Sequence, residues 1–289
     1  MSRIPAPYIV EACNTAKYGV QTHRPEMNLP FENKIHDDNV ARLFGFSGGL
    51  VPGVDVYAYM IHLPVERWGR AFLERGAITC RFLKPIYDRD LTRITAAEVG
   101  DGLDITVEAH SEICATGHAS LPAACVPLPA WDAFSAVEPR PFRPPAEEAS
   151  LKVGTWLGSH GFRTPVEWAE SFVKDMRETE TLYAHEQVVH PGQLVRMMNW
   201  ALIDNVLLGP WLYFGSTVHH LDTAKVGPEL GVRALITGNY ERNGHRLVEL
   251  EGLVLSAGRP VAHITHTVIY QPKQAATAYQ PHQGCRNVG

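Results

Sequence analysis

One stretch of this chain is better equipped for proton chemistry than any other. It reads Asn33-Lys34-Ile35-His36-Asp37-Asp38, then Gly45-Phe46-Ser47-Gly48-Gly49, then Leu50-Val51-Pro52-Gly53. An imidazole exchanges protons near neutral pH, so His36 is a candidate acid or base. Pro52-Gly53 opens a long apolar stretch. The first turn of a helix there leaves main-chain N–H groups and the positive dipole end free to meet a developing negative charge. Plainer roles stand beside these. His36 bonds the loop backbone next to Asp37, Asp37 and Asp38 cap a short helix, and Asp55 complements the helix dipole.

Other chemistries lack their residues. His219-His220 are adjacent on a strand and point to opposite faces. His263 and His266 also diverge, and no HExxH or Cys/His spacing occurs, so no metal site is expected. There is no GxGxxG before a helix, no GxxxxGK[ST] and no GxSxG, so neither a nucleotide cofactor nor a serine nucleophile is indicated. The net charge of -5 at pH 7 gives no electrostatic reason to expect nucleic acid or an anionic membrane. No run reaches the roughly 18 apolar residues of a membrane span, and the first residues lack a signal-peptide core. The five cysteines are odd in number and form no CxxC pair, which reads as reduced thiols in a cytoplasmic protein.

The elements that must position this segment recur along the chain. Leu50-Val51-Pro52-Gly53 is matched 139 residues later by Val189-His190-Pro191-Gly192. Gly76 and Gly215 keep the same offset, as do Thr92-Arg93-Ile94-Thr95 and Gly231-Val232-Arg233-Ala234. A period this long means a duplicated domain. The expected units are 1–121, a Pro-rich linker over 122–147, a second unit over 148–272 and a loose polar tail over 273–289. In the first unit, a strand over 8–12 precedes a short Asp-capped helix at 39–44. A buried helix over 53–75 follows, kinked at Pro64, with apolar residues at 56, 57, 60, 63, 68, 72 and 73. Strand-like segments follow at 77–86, 91–99 and 103–119. In the second unit a strand lies near 149–157. Thr164-Pro165-Val166-Glu167 then starts a helix with Thr as its cap, and a long helix begins at Gly192. Strands near 211–221, 231–240, 246–256 and 260–271 complete it, with Asn243-Gly244 as a hairpin turn.

A long helix that is apolar nearly all round must be wrapped, and a curved antiparallel sheet does this. The fold class is therefore α+β, a double hotdog, with two curved antiparallel sheets each wrapping a long central helix.

The 33–53 segment resembles the MaoC-like (R)-specific enoyl-CoA hydratase family. Asn33, Ile35, His36, Asp38, Ala41, Gly45, Phe46, Leu50, Val51 and Gly53 fit its pattern, and Arg81-Phe82-Leu83-Lys84-Pro85 resembles its R-F-x-x-P strand. The match covers about 25 residues. The resemblance implies a hydratase or dehydratase of 2-enoyl or 3-hydroxyacyl thioesters, with the CoA or carrier-protein thioester as part of the substrate and no further cofactor. It makes His36 the acid/base, Gly53 the oxyanion donor and Asn33 the residue that orients water or the His. Val51, Pro52, Asp55, Tyr57, His190 and Gly192 are the expected substrate-binding residues. Arg81 and Lys84 are basic residues available to CoA phosphates.

Two positions depart from the family. The catalytic Asp, five residues before the His, is Phe31 here, and the His of its H-G pair is Pro52. Glu32 is one residue off, which in extended chain reverses its direction. Losing one acid/base group typically costs a factor of about 10² to 10⁴. Two further readings thus stand beside the hydratase: a thioesterase with Glu32 or Asp55 as base, and a non-catalytic acyl-thioester-binding protein. Aromatics near the central helices (Tyr57, Tyr59, Trp68, Trp200, Trp211, Tyr213) suit a wide acyl pocket. Two hotdogs in one chain allow a monomer or a homodimer.

Overall fold

The computed structural model describes residues 4–17, 33–124, 127 and 133–273. The Phe31 and Glu32 positions and the tail beyond 273 lie outside these residues. In the first half, β1 (Tyr8–Glu11) is followed by a 3-10 turn (Lys34–His36), α1 (Asp38–Leu43), α2 (Gly53–Trp68) and α3 (Arg70–Arg75). Then come β2 (Ala77–Phe82), β3 (Leu91–Val99), β4 (Gly102–Ala109) and β5 (Glu112–Ser120). The second half has two short strands, β6 (Trp156–Leu157) and β7 (Phe162–Arg163), then α4 (Val166–Asp175), α5 (Leu182–Glu186) and α6 (Pro191–Ile203). It ends with β8 (Leu212–His220), β9 (Glu229–Arg242), β10 (His245–Ser256) and β11 (Arg259–Gln271).

Among the described residues all eleven strands belong to one sheet, ordered β1-β3-β4-β5-β2-β8-β11-β10-β9-β6, with β7 paired to β9. Read outward from the centre, the two halves have the same order. The expected two sheets are thus joined edge to edge: β2 pairs antiparallel with β8, Ala77 opposite His219 and Thr79 opposite Thr217. This pairing leaves neither central edge with open main-chain donors. The sheet curves round α2 and α6, which pack on each other. Helix α2 is buried continuously from Val54 to Val65, and α6 from Pro191 to Leu202. Both are double-hotdog central helices. Among the described residues no helix is long and apolar enough to cross a membrane.

Several boundaries differ from the sequence reading, each for a local reason. The helix expected over 53–75 runs through Pro64 without interruption, and breaks at Gly69, whose φ of 56° is left-handed. The 103–119 segment is two strands, turned at His110 and Ser111 with φ of 53° and 62°. No Gly marks that turn, so its sequence signal is absent. Gly215 lies inside β8, within the strand expected near 211–221, and its bare Cα faces the Cys80 carbonyl across the β2–β8 seam. Pro165 rather than Thr164 caps α4, with no side-chain hydrogen bond. The strand expected near 149–157 is only Trp156–Leu157. The Asp37 cap of α1 is as expected: its carboxylate accepts from Asn39 N and Val40 N at 2.9 and 3.1 Å.

Candidate active site

The 3-10 turn is built around Asn33, whose Oδ1 accepts from Ile35 N at 3.3 Å and caps it. The same amide exchanges two hydrogen bonds with the main chain of Trp211: Nδ2 donates to its carbonyl at 3.0 Å, and its N–H donates to Oδ1 at 3.2 Å. A side chain of the first half thereby fastens the turn to the start of β8 in the second. The turn also sits tightly on the glycine-rich loop. A Cβ on Gly49 would lie 2.0 Å from the His36 carbonyl oxygen, so only glycine lets the loop pass. Asp38 Oδ1 accepts from Gly49 N at 2.8 Å, and Asn14 Nδ2 donates to the His36 carbonyl at 3.1 Å.

These contacts orient His36, which is buried. Its Nδ1 lies 2.7 Å from the Leu50 carbonyl, which can only accept, so Nδ1 carries the proton. Nε2 is then the lone pair, and Asn33 Nδ2 meets it at 3.2 Å. Burial pushes the imidazole down to about 4; the Leu50 bond opposes this, and the Arg196 cation adds to it. His36 is therefore neutral at pH 7, with its basic nitrogen held in a fixed direction.

Helix α2 begins next to it. Pro52 is the cap residue and makes no side-chain hydrogen bond. The helical ladder starts with Asp55 N and Val56 N, both on the Pro52 carbonyl. The N–H groups of Gly53 and Val54 have no acceptor among the described residues. A Cβ on Gly53 would approach Tyr213 Cδ1 to 2.9 Å, so glycine is what allows the aromatic wall to close over this helix end.

His36, Asn33, Val51, Pro52 and Gly53 line one cavity of about 380 Å³. Its opposite wall is the stripe Arg196, Asn199, Trp200 and Ile203 of α6, spaced i, i+3, i+4, i+7 on one helical face. Trp211, Tyr213 and Phe82 complete the aromatic lining, with Phe82 and Tyr213 ring centres 4.6 Å apart. Lys84 lies at the cavity as well, and its ammonium pairs with exposed Glu112 at 2.5 Å. Of the basic residues set aside for CoA phosphates, Arg81 instead lies over the Phe214 ring.

Four residues expected to bind substrate do not line this cavity. Asp55 is wholly buried, ion-paired with Arg196 and hydrogen-bonded by Thr15 Oγ1 at 2.5 Å. Burial pushes its carboxyl up, and the Arg196 cation pulls against that. Tyr57 is core, one helical step from the cavity face. His190 is the cap of α6: its Nδ1 accepts from Gly192 N at 3.0 Å, and its Nε2 faces buried Glu178 at 3.6 Å. Gly192 permits the close approach of α6 to α2, since a Cβ there would lie 2.8 Å from the Ala58 Cβ. The second Pro-Gly is thus a structural copy of the first.

Arg196 and Asn199 were not singled out from sequence. Their signal was available as two of the three polar residues in the mostly apolar 192–203 run, the two on the stripe that carries Trp200. Trp200, Trp211 and Tyr213 line the cavity, whereas Tyr57, Tyr59 and Trp68 are not in the lining.

No family model matches the chain, and no curated protein sequence does. Three solved structures share its fold nearly end to end. A Chloroflexus aurantiacus protein described as a MaoC-domain dehydratase is 11% identical, with a TM-score of 0.62 over 94% of this chain and 96% of that one. A conserved hypothetical protein from Mycobacterium tuberculosis with a double hotdog fold is 16% identical, with a TM-score of 0.59 over 93% and 94%. A MaoC-like dehydratase is 14% identical, with a TM-score of 0.54 over 93% and 99%. At these identities the likeness is one of fold.

Proposed function

We propose that this chain is a hydratase/dehydratase of acyl thioesters of CoA or a carrier protein, with His36 as the acid/base. One observation carries the reading. His36, whose Nε2 meets Asn33 Nδ2, lines the same cavity as Gly53 and Val54, whose N–H groups have no acceptor among the described residues. A 2-enoyl thioester placed there has its carbonyl oxygen at the helix end and its β-carbon toward the imidazole. Water then adds as follows. Nε2 takes one proton from water while the oxygen bonds the β-carbon, and the electron pair of the double bond moves to the thioester oxygen as an enolate. The Gly53 and Val54 N–H groups and the helix dipole stabilise that charge. The imidazolium returns the proton to the α-carbon, so H and OH come from one water, and dehydration is the reverse. Asn33 Nδ2 yields its place at Nε2 to the water and donates to the water oxygen instead, held by its Trp211 pairing. One nitrogen thus serves as base and then as acid, which a lone histidine without a family Asp requires.

The thioesterase reading with Asp55 as base is disfavoured, because that carboxylate is spent on Arg196 and Thr15 and does not line the cavity. The test is incubation of the purified protein with a panel of 2-enoyl-CoA and 3-hydroxyacyl-CoA thioesters, with products read by mass spectrometry. Gain or loss of one water supports the proposal, and His36→Ala should then lower turnover by about 10² to 10⁴. Release of free CoA would move the case to a thioesterase. Binding without any turnover would leave an acyl-thioester-binding protein and remove the hydratase reading.

A further inference from the structure

Behind the cavity wall lies a chain of polar side chains that the reaction above does not use. His266 is buried, with Nε2 2.8 Å from Asn199 Oδ1 and Nδ1 2.8 Å from Ser216 Oγ. An amide oxygen only accepts, so His266 donates from Nε2, and its Nδ1 is the acceptor. Ser216 must then give its proton to Nδ1, and it receives the Tyr213 hydroxyl at 2.7 Å. Every hydrogen in the chain Tyr213–Ser216–His266–Asn199 is thereby assigned a direction. Burial pushes His266 down to about 3, so it stays neutral at pH 7 and the directions hold.

The arrangement resembles a Ser-His-Asn nucleophile, but Ser216 and His266 do not line the cavity. What reaches the cavity is Asn199. With Oδ1 committed to His266, its Nδ2 presents hydrogens for which the described residues supply no acceptor. Trp211 adds a second donor: its indole N–H is buried without a partner, on a residue that lines the same cavity. An unsatisfied buried donor such as the Trp211 indole costs about 1–3 kcal/mol, and with the Asn199 amide hydrogens on the same cavity wall it calls for an acceptor supplied by a ligand.

We infer that the acyl group carries an oxygen beyond the reacting centre, a keto or hydroxyl group received by Asn199 Nδ2 and the Trp211 indole. This rests on the acyl-thioester reading and deepens it: the substrate is an oxygenated acyl chain rather than a plain alkyl one. A site built to hydrogen-bond an oxygen discriminates against the analogue that lacks it, because its donors are then left buried and unpaired.

The test compares binding of hexanoyl-CoA with its 4-oxo, 5-oxo and 6-hydroxy counterparts by calorimetry, since saturated thioesters bind without reacting. The expected result is at least one oxygenated chain bound about tenfold more tightly than hexanoyl-CoA. Asn199→Asp keeps the oxygen that His266 needs but replaces the donor by an acceptor of the same shape. It should bring that ratio to about one or below. Trp211→Phe removes the indole N–H together with one ring of the side chain and should reduce the ratio in part, its main chain still holding Asn33. Equal binding of all four thioesters overturns the inference alone, as does a preference that survives in both variants. Failure of every acyl-CoA to bind overturns the thioester reading, and this inference with it.

Discussion

Replacing Arg196 by Met tests how the two halves are electrostatically tied. The guanidinium and the Asp55 carboxylate are both buried, at 4% and 0% exposure, on α6 and α2. Removing the cation leaves Asp55 with Thr15 as its remaining hydrogen-bond donor among the described residues. Breaking a buried pair from one side costs about 3–5 kcal/mol, mostly the uncompensated charge. Arg196→Met should therefore destabilise the protein by about that amount at pH 7. Asp55→Asn/Arg196→Met removes both charges and should cost less than the two single changes summed, with a coupling of about 2 kcal/mol. The assay is urea unfolding followed by tryptophan fluorescence, with midpoints compared at unchanged slope. The pH dependence has a definite sign. Burial already raises the Asp55 carboxyl, and loss of Arg196 raises it further, so the native state binds that proton more tightly than the unfolded chain. The deficit of Arg196→Met relative to wild type is then largest at pH 7 and shrinks as pH falls toward the unfolded carboxylate value. A cost below about 0.5 kcal/mol, as for an ordinary surface change, or zero coupling, would refute the reasoning.

The acid limb of the kcat/KM profile should lie near 4, where burial places His36, rather than near its ordinary 6.5; a limb at 6.5 would mean that a different or a solvated histidine acts. Stability should fall as pH drops below 6.5, because His36, His220 and His266 are pushed down to about 4, 3 and 3, and the unfolded chain takes up their protons first. Each contributes a loss of about 1.4 kcal/mol per pH unit between 6.5 and its folded value. His62, raised by Glu178, opposes this, and a melting temperature equal at pH 7 and pH 5 would count against the assignment. Gly49→Ala must move main chain, because the new methyl would stand 2.0 Å from the His36 carbonyl. It should cost about 3 kcal/mol and lower turnover, while Gly231→Ala, with nothing within 4 Å, changes stability by under about 0.5 kcal/mol. Equal melting temperatures for the two variants would show that the loop yields.

Much of the architecture was legible because it is written in local pattern. The Pro-Gly repeat marks two helix starts, and Gly53 and Gly192 each sit at a close approach that excludes a Cβ. The strand runs at 91–99, 246–256 and 260–271 alternate or run apolar as strands do, and the structure places strands there within a residue. Asn33 and His36 stood out through the resemblance of the 33–53 segment to the family pattern, whereas the Trp211 and Asn14 contacts that hold their turn come from elsewhere in the chain. The His110-Ser111 turn was not legible, since neither residue announces a left-handed backbone.

The sequence alone determined the duplicated unit, the two buried helices and the segment proposed to move protons. These depend on periodicity and on residue types that sit close together in the chain. Which residues share the cavity was decided only by the tertiary structure. Pairing of β2 with β8 and packing of α2 on α6 carry Arg196, Asn199, Trp211 and Tyr213 across to His36, from more than 150 residues away in sequence. The same packing takes Asp55, Tyr57, His190 and Gly192 out of the site and into the core. Whether a polar side chain on a buried helix faces a partner or a cavity depends on what lies opposite, and that neighbour is set by the whole sheet, not by the residues beside it.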